Sequence, residues 1–368
     1  MRALACILVA CLAPSAAADA LTIAVRGNHL MRPGHGTVRL IGVNRSGSEY
    51  SCSSDDGAGG FGYGFFQGPV NDRAIAAMAT WKVNAVALPL NEACWLGGYG
   101  GLKPAYTGAR YRNQIATYVK RLNAHGMFVV LRLSGAGPGN FVYGSIPSDS
   151  EAPMADADHS ITFWRSVAKR FRGNHAVLFH IYDEPHALGW RCLRDGCDVV
   201  SDAAHGGSPE FGTYRSAGQQ ALVDAIRGQD ATQPIIVSGI NFAGDVSRWE
   251  AFKPRDPRHA LVVDLSSFDY GDVLAGQSDA IVKVARLHPV VFGGFGDTDC
   301  NSDYSMRLMQ FADSHGLSYL AWTWNTTADY GGCDNALLQD LGDYYTGAPS
   351  GYGAGVRAHY LQVSPGPA

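Results

Sequence analysis

The sequence predicts an α/β chain: a (β/α)8 barrel preceded by an N-terminal β-hairpin. Two observations carry this. Eight short runs rich in Val, Ile, Leu and Phe alternate with amphipathic stretches, the order expected when parallel strands are joined by helices. These runs are apolar nearly throughout and stop abruptly in polar residues, as strands do when both faces are buried and their C-terminal ends form an open rim. The clearest case is Phe179-His180-Ile181-Tyr182-Asp183-Glu184-Pro185-His186, an apolar run ending in two carboxylates and a proline.

Taken in order, residues 1–20 read as a secretory signal: Arg2 is a short positive start, an apolar run follows, and Ser15-Ala16-Ala17-Ala18 offers a small-residue cleavage site. Residues 21–368 read as a single domain. The alternation of Leu21-Thr22-Ile23-Ala24-Val25, with turns at Gly27-Asn28 and Pro33-Gly34, gives the hairpin. Strands are expected at 38–43, 84–88, 127–133, 176–182, 234–237, 260–265, 289–292 and 318–322. Helices are expected at 72–80, 112–125, 160–171, 213–227 and 304–315. Ile161, Trp164, Val167, Ala168 and Phe171 show the three-and-four spacing of a helix with one buried face. The loop after the sixth strand, 269–277, is short, and the tail from Gly351 reads as a last helix with a frayed end.

Composition narrows the partners. Hydrophobic content is 46%, charged content 17% and net charge −4, with no long basic block, which argues against nucleic acid. No stretch past the signal is long and apolar enough to span a membrane. The expectation is a secreted monomer, extracellular or periplasmic. Six cysteines remain beyond Cys6 and Cys11, an even set that suggests disulfides in an exported chain. Cys192 and Cys197 would close a small local loop; the other pairings stay open. With no C-x-x-C pair and no histidines at ligand spacing, neither a metal nor a cofactor is expected.

In such a barrel the chemistry sits at the C-terminal strand ends. Here they read Asn44-Arg45-Ser46, Asn91-Glu92, Ser134-Gly135, Asp183-Glu184-Pro185, Ser238-Gly239, Ser266-Ser267-Phe268, Gly293-Gly294-Phe295-Gly296 and Trp322-Thr323-Trp324-Asn325. Residues two apart on a strand face the same side, so Arg132 lies beneath Ser134 and Asp264 beneath Ser266. Arg132 is then expected to pair inside the barrel with Asp183 or Asp264, since a lone buried charge is costly. For Asp183 the alternatives are a base poised for water attack and the partner of Arg132, and the partner is favoured.

These rim motifs resemble glycoside hydrolase family 5, the cellulase-type barrels, in a bacterial branch. Leu40-Ile41-Gly42-Val43-Asn44-Arg45-Ser46-Gly47 resembles the family's first strand and loop, Pro89-Leu90-Asn91-Glu92-Ala93-Cys94-Trp95 the second strand end, and Ala321-Trp322-Thr323-Trp324-Asn325 the last strand. Asp183-Glu184-Pro185-His186 stands where the family has N-E-P-H. The resemblance implies disulfides between Cys52 and Cys94, Cys192 and Cys197, and Cys300 and Cys333. It implies a retaining mechanism, in which an acid protonates the leaving oxygen and a carboxylate about 5–5.5 Å away attacks the sugar. Glu184 matches the acid/base.

The nucleophile of the family's G-E-x-G motif is replaced by Gly294, which has no group to attack with. The neighbours change as well. The family's arginine on the second strand is Ala87, its D-L-H is Arg132-Leu133-Ser134, its H-x-Y is Ser266-Ser267-Phe268, and its N-E-P asparagine is Asp183. The expectation is therefore a homologue that binds a β-linked polysaccharide or oligosaccharide with hydrolysis lost or strongly impaired. Glu184 holds the acid position, and Asp183, Asn91, Trp95, Trp322 and Trp324 are candidate sugar contacts. Trp322 is the expected stacking platform. The alternative is an active β-glycosidase in which Glu184 stays the acid and Asp183 or Asp264 activates water. A third reading is chemistry on a sugar acid clamped by Arg132.

Overall fold

A computed structural model describes residues 20–53, 64–139, 141, 152–201, 212–330, 332 and 334–368. The expected signal, 1–20, lies almost wholly outside the described residues. Thirteen strands are named in chain order: β1 Ala24–Arg26, β2 His29–Arg32, β3 Gly36–Thr37, β4 Ile41–Asn44, β5 Ala85–Asn91, β6 Phe128–Gly135, β7 Val177–His180, β8 Asp198–Ser201, β9 Gly212–Arg215, β10 Ile235–Ser238, β11 Leu261–Phe268, β12 Val290–Gly296 and β13 Ser318–Ala321. Eight of them, β4 to β7 and β10 to β13, close into one parallel barrel. Each sequence-expected strand has its counterpart here, and the barrel class is as expected.

The helices are α1 Asp72–Thr80, α2 Glu92–Leu96, α3 Gly108–Ala124, α4 Ser160–Phe171, α5 Trp190–Asp195, α6 Gln219–Arg227, α7 Trp249–Phe252, α8 Val273–Ala285, α9 Asp303–Ser314, α10 Thr327–Tyr330 and α11 Gly351–Val363. They form the outer layer. Among the described residues no helix is long and apolar enough to cross a membrane.

The strands divide their side chains between two cores by the alternation of the pleat. Val86, Leu88, Val129, Leu131, Val177 and Phe179 face outward and pack under the helices with Trp81, Tyr118 and Trp164. Ala85, Ala87, Phe128, Val130, Leu178, Ile236, Val262, Val291 and Leu320 face inward. The N-terminal strands plug the lower mouth, where Ile23 and Leu30 join this inner core and Ile23 N–H donates to His175 O at 2.9 Å.

Three expectations are corrected. The N-terminal hairpin is a three-stranded antiparallel sheet, β1-β2-β3. The helix expected over 213–227 is split: Gly212–Arg215 pairs antiparallel with β8, and α6 begins only at Gln219. Gly218 forces the break, because at φ +71° it packs so close to Gly196 that a Cβ would meet the Gly196 nitrogen at 2.2 Å. The C-terminal tail is not frayed, since Ala368 N–H donates to Gly126 O at 2.9 Å and Ser364 is buried.

Two disulfides match the pairs implied by resemblance, Cys52–Cys94 and Cys192–Cys197. Cys300 is also disulfide-bonded; Cys333 lies outside the described residues. The bond from Cys52 to Cys94 closes a loop with a sequence separation of 42, between the segment after β4 and α2. Chain entropy for a loop of that length is worth about 4 kcal/mol. Cys52→Ala with Cys94→Ala is expected to lower the unfolding free energy by roughly that amount, read from urea denaturation under non-reducing conditions. A loss under about 1 kcal/mol would contradict the entropic account.

Candidate active site

The site is built where β6, β7, β11 and β12 end. After β7 the chain leaves the barrel through Asp183, whose N–H donates to Leu133 O at 2.9 Å, and turns sharply at Glu184 with φ +51°. That left-handed backbone is disfavoured for a residue with a Cβ, and such strain concentrates at functional positions. His186 fixes the turn by donating from Nδ1 to Glu184 O at 2.9 Å.

Arg132 behaves as its inward position demands. It is 2% exposed and donates from Nη1 to Asp183 Oδ2 at 3.0 Å. Burial opposes its charge, but Asp183 first and then Asp264 outweigh that and hold it protonated. Ser134 Oγ donates to the same Asp183 oxygen at 3.1 Å. Of the two partners expected for Arg132, Asp183 is the bonded one. Asp264 is fully buried and lies 3.3 Å from His180 Nε2 and 2.9 Å from Ser238 Oγ. Burial works against its charge, yet His180 and Arg132 keep it below the usual carboxylate range.

Glu184 is the opposite case. Burial first, then the negative charge of Asp183, push its carboxyl up to about 8; a hydrogen bond with Ser266 and the charge of Arg132 only partly counter them. Glu184 is thus a protonated acid at neutral pH, as proton donation to a leaving oxygen requires.

Across from it, β12 carries a bulge. Leu265 of β11 faces Phe292 and Ser266 faces Gly294, so Gly293 is the extra residue. Its carbonyl accepts from Asn44 Nδ2 at 2.8 Å and from Arg132 Nη2. The glycines here differ. A Cβ on Gly293 would meet Asp264 Oδ1 at 2.2 Å, and one on Gly296 would meet Asn335 Oδ1 at 2.0 Å. A Cβ on Gly294 would find nothing nearer than Ser266 Oγ at 3.6 Å and Phe268 Cζ at 3.8 Å. Position 294 therefore has room for a side chain and carries none.

Three expected sugar contacts are used elsewhere. Asn91 is fully buried; Oδ1 caps α2 by accepting from Ala93 and Cys94 N–H, and Nδ2 donates to Glu49 O at 2.8 Å. Trp95 is fully buried against Tyr111 and Phe163, with Nε1 donating to Ser166 Oγ at 3.0 Å. Trp324 is fully buried edge-on to Trp81, ring centroids 4.8 Å apart. These are corrections: each side chain turns away from the cleft into the helix layer. Trp322 is half-buried at the rim, as a platform would be.

Other groups near the site escaped the sequence reading. Glu49, 2% exposed, accepts from Ser46 Oγ at 2.6 Å and Gly47 N–H at 2.7 Å; burial pushes its carboxyl up to about 7, and the charge of Asp183 adds to this. Phe242 is 49% exposed and stacks on His186 at 4.2 Å. It is held by three successive left-handed residues, Asn241, Phe242 and Ala243, and its N–H donates to Pro185 O at 3.0 Å. Phe268 stacks on Tyr270, which is 77% exposed, at 5.5 Å. Nothing in the sequence marks 241–243 as left-handed, because none of the three is glycine. Glu92 shares its proton with Asp156 in a separate buried brace beneath the loop before α4, where both accept from Ser160 Oγ.

The raised carboxyls give a signed prediction. Between about 4.5, the unfolded value, and about 8, the folded protein binds a proton at Glu184 that the unfolded chain has released, so stability falls as pH rises through that window. Glu184→Gln is expected to match the parent's melting temperature near pH 4.5 and exceed it by several degrees at pH 8.5. Equal melting at both pH values would refute the burial of this acid.

A family model described as "Cellulase (glycosyl hydrolase family 5)" matches residues 55–328. Endoglucanase 1 of Robillarda sp. (strain Y-20) is 25% identical over 201 residues, 48% of this chain and 46% of that protein; the chain thus spans about half the length of this curated relative. A beta-glucanase from Saccharophagus degradans, solved with cellotetraose, superposes with a TM-score of 0.63 at 17% identity, covering 93% of this chain and 94% of the other. The catalytic domain of Thermobifida fusca endoglucanase Cel5A gives 0.59 at 16% identity, covering 92% and 97%. At those identities the two structures speak for the fold.

Proposed function

Because this chain belongs to glycosyl hydrolase family 5, the cellulase family, we propose that it is a secreted member that binds β-linked glucan chains in its cleft and does not hydrolyse them. One observation carries the reading: a protonated Glu184 faces a strand position, Gly294, that has room for a nucleophile and lacks one. Retaining hydrolysis needs both groups. Among the described residues, the carboxylates nearest to Glu184 are committed. Asp183 holds Arg132 and Ser134, and Asp264 lies beneath them, wholly buried and beside His180. That counts against either as the base of a rebuilt hydrolase. Arg132 is equally committed, which counts against a clamp for a sugar acid.

The bound glycan is drawn from the relatives. The printed names of similar structures include complexes with cellotetraose and cellopentaose. Here Trp322, Phe242 and the Phe268–Tyr270 pair offer the aromatic faces on which pyranose rings stack.

The test is a panel of cellulose, mannan, xylan, aryl glycosides and cellooligosaccharides on mature protein. Turnover at the buffer rate with measurable binding is expected. Hydrolysis abolished by Glu184→Gln would defeat the reading. Trp322→Ala and Phe242→Ala are each expected to weaken cellotetraose binding about 3- to 10-fold, the worth of one aromatic stacking contact, read by calorimetry. No change in either variant would remove these rings from the binding surface.

A further inference from the structure

We infer that this barrel makes β-glycosidic bonds from α-configured glycosyl donors whose leaving group is a small anion, with Glu184 as the general base and the space at Gly294 receiving the anion. The inference rests on the proposed glycan cleft and deepens it.

The geometry runs through Ser266. Its hydroxyl bonds to Glu184 and also lies 3.6 Å from the point where a Cβ on Gly294 would stand. One hydroxyl therefore spans the proton-transfer side of the site and the vacant side. A sugar bound between them with a free anomeric centre has no protein group with which to form a covalent adduct. A sugar that arrives with its own leaving group on the lower, α face needs none. In that case the leaving group sits in the space that Gly294 leaves open, where Ser266 Oγ can donate a hydrogen bond to it as charge develops.

The step balances with fluoride as the leaving group. The acceptor hydroxyl attacks C1 from the β face, C1–O forms and C1–F breaks. The acceptor's proton passes to the Glu184 carboxylate, and fluoride departs beside Ser266. The configuration inverts from α to β. The product is a β-linked glycan that the protein cannot cleave by the retaining route, so it accumulates. Because the base must be ionised, the rate should rise with pH through about 8, the value to which burial raises Glu184. A hydrolase using Glu184 as its acid would show the reverse slope.

The experiment incubates full-length mature protein with α-cellobiosyl fluoride and an aryl β-glucoside acceptor, following fluoride with an electrode and products by mass spectrometry. Fluoride release with accumulating β-linked transfer product, rising from pH 6 to pH 9, is expected. Glu184→Gln should cut the rate by at least about 100-fold, the lower end for a lost general base. Ser266→Ala should lower kcat more than it raises the acceptor KM. Should Glu184→Gln not fold, the pH profile of the unmodified protein carries the same test. Fluoride release no faster than in buffer, from protein that binds cellotetraose by calorimetry, would overturn the inference and leave the binding reading intact. Products that form and are then cleaved would defeat both.

Discussion

Arg132→Met is expected to lower the unfolding free energy by about 3–5 kcal/mol, the range for a buried ion pair stripped of one partner. The side chain is nearly inaccessible and is the bonded partner of Asp183, and its charge also holds down Asp264. Without it, two carboxylates remain in the barrel interior, and the Gly293 carbonyl loses a donor. Asp183→Asn in the same chain should recover more than half of the loss, because the uncompensated charge goes with it. Urea denaturation at pH 7 reads both numbers. If the single variant lost under 1 kcal/mol, the interior would have to admit enough water to solvate the acids.

The second large effect concerns position 294. Gly294→Glu is expected to turn a protein without measurable hydrolysis into a slow one, forming a covalent adduct with a 2-fluoro glycoside that mass spectrometry detects. It should remain slow because the new carboxyl would sit close to Glu184, with Arg132 already bound to Asp183. Supplying a cation from the adjacent strands, by Ala87→Arg together with Gly294→Glu, should raise the rate by roughly 10- to 1,000-fold, since a neighbouring cation lowers a carboxylate pKa by about 1–3 units. Ala87 sits in the inward-facing core, so the longer side chain would enter the barrel. Absence of any adduct in either variant would mean that residue 294 does not face the bound sugar.

Much of the barrel is legible in the sequence because its strands are buried on both faces and read as unbroken apolar runs. Arg132 and Asp264 are legible for a related reason: strict alternation places them inward, and a charge there must find a partner. The rim is less so. Trp95 and Trp324 each follow a barrel strand closely, but only the turn of the loop decides whether an indole faces the cleft or the helix layer. Asn91 reads as a sugar ligand by type and position, yet its amide is consumed in capping α2. Phe242 and Glu49 are hidden because the backbone that presents them is set by left-handed or tightly turned loop residues, for which composition gives no signal. The β8–β9 ribbon is missed because Thr213-Tyr214-Arg215 runs straight into a helical pattern, and only the contact of Gly218 with Gly196 separates the two.

The plug of β1 to β3 and the seat of Ala368 against Gly126 share a consequence for how the molecule can be handled. Both described ends of the chain emerge at the blunt pole of the barrel, opposite Glu184. A tether, bead or fused module attached to either end would hang behind the molecule, leaving its open mouth turned toward whatever strand of sugar it meets.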